Sequence, residues 1–345
     1  MENRDERTFP GRSAQSNESL IESAFTQIRL LGSAEQSSLL FPNGVKSLEL
    51  EISAASGTTP GGILSLKISA ADAPQIDSTK TSVAVMLEGD VEPTFNAEGH
   101  HVVAFILEQD LNQHFPGEMQ KVQKILDDGG RTLTKAATFP DDIRNSHPET
   151  KPFHFVDIPF RDHGPSEPPL PHSPHVISQI SEFSETLKNT SASHKDRVDA
   201  LSWLIHLFGD IHQPLHCIEH INEFHPGGDR GGNSFLLKGK ARNLHSLWDS
   251  SVNFKNAIEQ ELAVGIIKQH PRSSLQSVLQ NKNVEDWARS SFDLAKKFAY
   301  GPLHENPAKP PTPNASYLKK AEEIGRRQAA IAGYRLSDRL RSLLS

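Results

Sequence analysis

The stretch from Trp203 to Cys217, WLIHLFGDIHQPLHC, sets the strongest condition on any fold for this chain. Its leucines, isoleucines and phenylalanine recur at helical spacing, which predicts a helix entering a core. Yet His206, Asp210, His212 and His216 sit within it, and burying a polar group is costly unless it finds a partner. His206 and Asp210 are four residues apart, so on a helix they share one face, one turn above the other. His245 and Asp249, in NLHSLWD, repeat that spacing. A lone histidine on an apolar helix is most often a hydrogen-bonded core residue. Two His-x3-Asp pairs, with His216 close behind, favour metal instead, because imidazole nitrogen and carboxylate oxygen are the ligands for zinc where thiolates are absent. His212, His220 and His225 lack such a partner and are read as structural. Pro214 removes a backbone donor and disfavours helix at Gln213, so the helix should end or kink there, releasing His216 from the face of His206.

Composition bears on this reading in three ways. The one cysteine, Cys217, excludes an internal disulfide framework and a cysteine-cluster metal site. The 36 basic and 43 acidic side chains give a net charge of −7, whereas a duplex-coating nucleic-acid binder carries a basic surface. A nucleic-acid partner would therefore need local positive charge from something other than lysine and arginine. No apolar run approaches the roughly 18 residues that span a bilayer, and the polar start MENRDERTFPGRSAQSNESL shows no signal peptide.

Residues 1–94 differ in texture from the rest. SNESLIESAFTQIRLL predicts one short capped helix, and VKSLELEIS and GGILSLKISA alternate with period two around the turn-rich ASGTTPGG, a small β-hairpin or sheet. No catalytic residue types collect there, so this is a β-rich extension or pro-segment. From residue 95 to 345 helical spacing dominates, as in HHVVAFILEQDL, GEMQKVQKILDDG, HVISQISEFSETLKN and the closing YLKKAEEIGRRQAAIAGYRLSDRLRSLL. Pro-rich loops interrupt at 159–175 and 302–313, and NSFLLKG is the one clear strand. The predicted architecture is a mainly α domain with one small β excursion, preceded by the β-rich segment.

Further potential ligands lie upstream: His100 and His101 in AEGHH, Asp141 and Asp142 with Arg144 in TFPDDIR, and His154 and Asp157 in KPFHFVD. Each is weak alone. Together with HLFGDIHQPLHC, GDRGGN and NLHSLWD, in that order, they resemble the zinc-dependent single-strand nucleases, the fungal S-one/P-one type and the plant bifunctional nucleases. Zinc-dependent phospholipase C is a more distant cousin of the same fold. The resemblance covers about residues 95–345, including the late WARSS and AGYRLSDRL segments.

That resemblance implies a helical phospholipase C/nuclease-like domain around three zinc ions. It assigns Asp141, His154, His206 and Asp210 to the first zinc and His216, His245 and Asp249 to the second. Asp210 would bridge to the third, which His100 also binds. Arg144 matches an arginine that steadies charge building on the phosphate, placing it with Asp141 and Asp210 in the catalytic set. Phe155 and Asp157 match a base pocket, where the ring stacks on the nucleobase and the carboxylate accepts hydrogen bonds from its edge. Gly232 and Asn233 match residues lining that pocket. Three zincs against three aspartates would leave the cluster positive, the local field that a net −7 chain otherwise lacks. The implied activity is an endonuclease and 3′-nucleotidase on single-stranded DNA and RNA, giving 5′-phosphorylated products. A base that must be splayed out favours single strands, because a duplex resists releasing one.

The family's mature chain begins with a tryptophan five residues before the equivalent of His100, and its amine and carbonyl bind the third zinc. Here that position is Phe95, an internal residue. Either proteolysis after Thr94 frees the Phe95 amine, or the third zinc is held weakly by His100, Asp210 and a carbonyl. The alternatives to a nuclease are a phospholipase C of the same metal architecture and a catalytically weakened zinc-binding relative. By resemblance the protein is a secreted or periplasmic monomer.

Overall fold

The computed structural model describes residues 49–51, 65–67, 97–161 and 168–345. Contacts divide the chain into two units, Met1–Val91 and Glu92–Ser345. In the first, β1 (Glu49–Glu51) pairs antiparallel with β2 (Ser65–Lys67), Leu50 opposite Leu66. These fall within the two segments of period-two alternation. The helix expected in SNESLIESAFTQIRLL lies outside the described residues, as does Phe95.

The second unit is mainly helical. Its helices are α1 (Ala97–His114), α2 (Pro116–Asp128), α3 (Leu133–Ile143), α4 (Val176–Lys188), α5 (His194–Asp210), α6 (Leu244–Asp249), α7 (Glu259–Gln269), α8 (Gln276–Gln280), α9 (Val284–Leu294) and α10 (Ala315–Leu344). The termini are written into the sequence. Thr132, Ser193 and Asn314 each accept a backbone N–H from three residues ahead, capping α3, α5 and α10. Asn243 and Ser246 form a reciprocal capping box on α6.

Every residue from Ala200 to Asp210 is buried, so the second half of α5 runs through the core with no solvent face. It packs on α1, α2, α3, α4 and α10. The α5 helix ends at Asp210, and Pro214 opens a 3-10 turn, Pro214–Cys217, as the proline predicts. The long α10 lies on α1, and Gly333 permits their closeness: a Cβ there would meet Ile106 Cγ2 at 2.5 Å and the Val103 carbonyl at 3.2 Å.

The domain has the expected small β excursion, but not at the expected place. NSFLLKG forms no extended strand; Leu236 bridges Asn243 alone, with Leu237 N–H on the Arg242 carbonyl and Leu244 N–H on that of Phe235. A segment that folds back on its own neighbour closes as a tight hairpin and offers no strand to a sheet. The domain's sheet is instead a parallel pair, β3 (Pro159–Phe160) and β4 (Glu219–His220), with Pro159 opposite Glu219. That pairing draws the chain after His154 against the chain after His216, and so builds one end of the site.

Candidate metal centre

Five elements converge at the C-terminal end of α5. His100 comes from the first turn of α1, Asp141 from the last turn of α3, and His154 ends the 3-10 helix Pro148–His154. His206 and Asp210 come from α5, His216 from the turn begun by Pro214, and His245 and Asp249 from α6. All but Asp141 are buried, with His100, His206 and Asp210 completely so.

The donor atoms approach one another closely. His154 Nδ1 lies 3.0 Å from both Asp210 Oδ2 and His206 Nε2. His206 Nε2 lies 3.1 Å from Asp210 Oδ2 and 3.6 Å from Asp141 Oδ1, and His154 Nδ1 lies 3.8 Å from that same Asp141 oxygen. A tetrahedron with zinc–ligand bonds of about 2.0–2.1 Å has edges of about 3.3–3.4 Å, so these four atoms bracket its size. In a second group, Asp249 Oδ1 lies 3.6 Å from both His216 Nε2 and His245 Nε2. Asp210 Oδ1, turned away from the first group, is 3.5 Å from His100 Nε2.

Backbone carbonyls choose the tautomers. His206 Nδ1–H donates to the Ala137 carbonyl at 2.7 Å, His216 Nδ1–H to that of His154 at 3.0 Å, and His245 Nδ1–H to that of Gly231 at 2.8 Å. A carbonyl only accepts, so each Nε2 keeps its lone pair for the cluster, the arrangement that orients metal-bound imidazoles. Among the described residues, His216 Nε2, His245 Nε2, Asp141 Oδ1, Asp210 Oδ1 and Asp249 Oδ2 are buried without a hydrogen-bond partner. Such atoms are expensive to leave unmatched, and all belong to residues that could hold a cation.

The charges agree. Burial pushes Asp141 up to about 6 and His154 down to about 4. Burial would also raise Asp210, but the imidazoles of His206 and His216 outweigh it and hold this carboxyl well below the usual range. Burial lowers His206 in turn, and Asp210 and Asp141 overcome it, raising it to about 9. The two carboxylates thus call for a cation where His206 stands. Arg144, nearly buried, feels Asp141, Asp210 and Asp249 against the burial that lowers it.

The sequence model of the S1/P1 Nuclease family matches residues 95–345. The chain belongs to that family. Among its relatives it is 27% identical to Endonuclease 4 of Arabidopsis thaliana over 284 residues, 72% of this chain and 88% of that protein. It is 27% identical to Nuclease S1 of Aspergillus oryzae over 45% of this chain and 53% of that protein. With Nuclease P1 of Penicillium citrinum it shares 28% over 45% of this chain and 57% of that protein, so it spans about half of the fungal relatives. Membership implies a nuclease, a hydrolase acting on phosphodiester bonds.

In this S1/P1 nuclease the groups that could hold a metal border a pocket, whose lining includes Arg144, His154, His216 and His245 together with Phe155, Asp157, Glu219, Arg230 and Asn233. Gly231 lines it, whereas Gly232 sits behind: its carbonyl receives the His245 N–H at 3.2 Å, and its φ of +85° suits only glycine. Burial, with Glu219 and Asp229 close by, pushes Asp157 up to about 7. Sequence inspection missed Glu219. Its signal was faint, an acid three residues after a candidate ligand, and only the β3–β4 pairing brings it beside Asp157.

The histidines read as structural stand outside the cluster. His212 donates Nδ1–H to the Phe208 carbonyl and accepts from Arg335 at 2.8 Å. His225 pairs with Glu305, and His220 stacks on Phe160.

Proposed function

We propose that this chain is a zinc-dependent endonuclease and 3′-nucleotidase that hydrolyses single-stranded DNA and RNA to 5′-phosphorylated products. The observation that carries it is the set of three imidazoles whose Nδ1–H groups are tied to carbonyls, leaving Nε2 lone pairs facing buried carboxylates. In this assignment Asp141, His154, His206 and Asp210 hold the first ion and His216, His245 and Asp249 the second. His100 and Asp210 share the third. The donor set, nitrogen and oxygen with no thiolate, suits zinc. When bound, zinc would supply a nucleophile at neutral pH and Lewis acidity toward a phosphoryl oxygen.

The chain's own residues do the rest. Arg144, fixed by burial among three carboxylates, offers a guanidinium to the oxygens that gain charge during in-line displacement. Phe155 gives a face for a base to stack on, which a paired base reaches only by leaving its duplex. Residues 1–94 would be a removable segment, their loss freeing the Phe95 amine to complete the third site. Intact-mass analysis of active enzyme tests this: a full-length chain holding three tightly bound zincs would sink it.

The decisive experiment sets single-stranded DNA, duplex DNA and phosphatidylcholine before the zinc-loaded protein. Cleavage of the single strand alone is expected. Hydrolysis of the phospholipid would transfer the metal assignment to a phospholipase C. Arg144→Ala should lower kcat by about 10²–10³, while an unaltered rate would fit a zinc-binding relative without this mechanism.

A further inference from the structure

One stretch of the pocket lining, Asp157, Glu219 and Asn233, offers hydrogen-bond acceptors. Asp157 lies between the 3-10 helix Pro148–His154 and β3, and no donor among the described residues reaches its carboxylate. Glu219, at the start of β4, accepts the Arg230 N–H on one oxygen and the Gly231 N–H on the other, each at 3.2 Å. A carboxylate has about four acceptor positions, so each oxygen keeps one. Asn233 donates Nδ2–H to the Arg230 carbonyl at 2.8 Å, which fixes its amide and leaves Oδ1 buried without a hydrogen-bond partner. The side-chain donors in the lining are Arg144, the histidines of the cluster and the exposed Arg230.

The four bases differ in what they present to such a stretch. Guanine carries two adjacent donors, N1–H and the N2 amino group, which a carboxylate can accept together. Adenine and cytosine offer one amino group each. Uracil and thymine offer a single N3–H flanked by two carbonyls, and those oxygens would face carboxylates.

We propose that Asp157, Glu219 and Asn233 make this pocket selective for guanine, with uracil and thymine its poorest occupants. The selectivity rests on the nuclease function proposed above. Glu219 has two parts in it: it adds acceptor positions beside Asp157, and it holds the loop bearing Asn233, whose Arg230, Gly231 and Gly232 all have left-handed φ. Paired carboxylates are costly to ionise side by side, and a base with two adjacent N–H groups relieves that cost better than one with a single donor.

The test uses ribodinucleoside phosphates with G, A, C or U on one side of the scissile phosphate and a fixed base on the other, then the reverse. In one of the two positions kcat/KM for G should exceed that for U by at least about tenfold. Asp157→Asn, which replaces an acceptor by a donor, should bring the ratio close to one, and Glu219→Gln should reduce it. Rates within about twofold for all four bases in both positions, or a preference for U, would overturn the proposal and leave the nuclease function standing. So would an undiminished ratio in Asp157→Asn. Failure to cleave any dinucleotide or single-stranded DNA would overturn the nuclease function itself, and this selectivity with it. Should a variant not fold, the ranking of bases by the unaltered enzyme still decides.

Discussion

Asp210 presents one oxygen to His154 and His206 and the other to His100, so its loss should be felt at more than one ion. Asp210→Asn is expected to abolish hydrolysis and to lower bound zinc by more than one equivalent, measured by elemental analysis of dialysed protein. Full activity in that variant would refute the assignment of the cluster. Asp157 makes a different prediction, about stability. Its carboxyl, pushed up to about 7, holds a proton in the native chain that the unfolded chain, near ~3.9, has released. The unfolded state binds fewer protons between about pH 4 and about pH 7, so this residue's contribution falls as pH rises through that window. Asp157→Asn should remove the slope. Urea denaturation at the two ends should show the unaltered protein losing roughly 1–3 kcal/mol more than the variant. Equal losses would show that Asp157 titrates normally.

At the scale of elements, the turn after α5 is held to α6 by one side chain. Gln213 Oε1 accepts the Leu215 N–H, and its Nε2 donates to Asp249 Oδ1 at 2.6 Å. It therefore aligns the turn bearing His216 with the helix bearing His245 and Asp249. Gln213→Ala should weaken the tightest exchangeable zinc of that group by about 10–100-fold, read by competition with a chelating dye, and unchanged affinity would deny it this part. The contact of α1 and α10 is equally specific. Gly333→Ala drives a methyl into Ile106 and the Val103 carbonyl, and overpacking of this kind costs about 1–3 kcal/mol. A urea midpoint unmoved by the change would mean that the helices separate freely.

For the molecule as a whole, the cluster that would carry out catalysis also lies within the core. Its buried carboxylates and imidazoles leave several atoms unmatched, and a ligand that binds only the native state stabilises it by mass action. Chelation should therefore lower the melting temperature by several degrees as well as end activity, and added zinc should restore both. A chelated protein with an unshifted transition would place the metals outside the folding equilibrium. Among the described residues no helix is long and apolar enough to cross a membrane.

Much of this was legible in the chain alone, for a physical reason. A helix repeats every 3.6 residues, so His-x3-Asp in α5 and again in α6 fixed which side chains share a face before any folding, and Pro214 fixed where the first helix must stop. Helical periodicity likewise determined the mainly α character. The tertiary structure alone decided what depends on residues far apart in sequence. It set the orientation of three imidazoles by the carbonyls of Ala137, His154 and Gly231. It replaced the expected strand at NSFLLKG by a parallel pair from segments some sixty residues apart. Through that pair it brought Glu219 beside Asp157, because hydrogen bonding between strands is a choice of partner that no local pattern specifies.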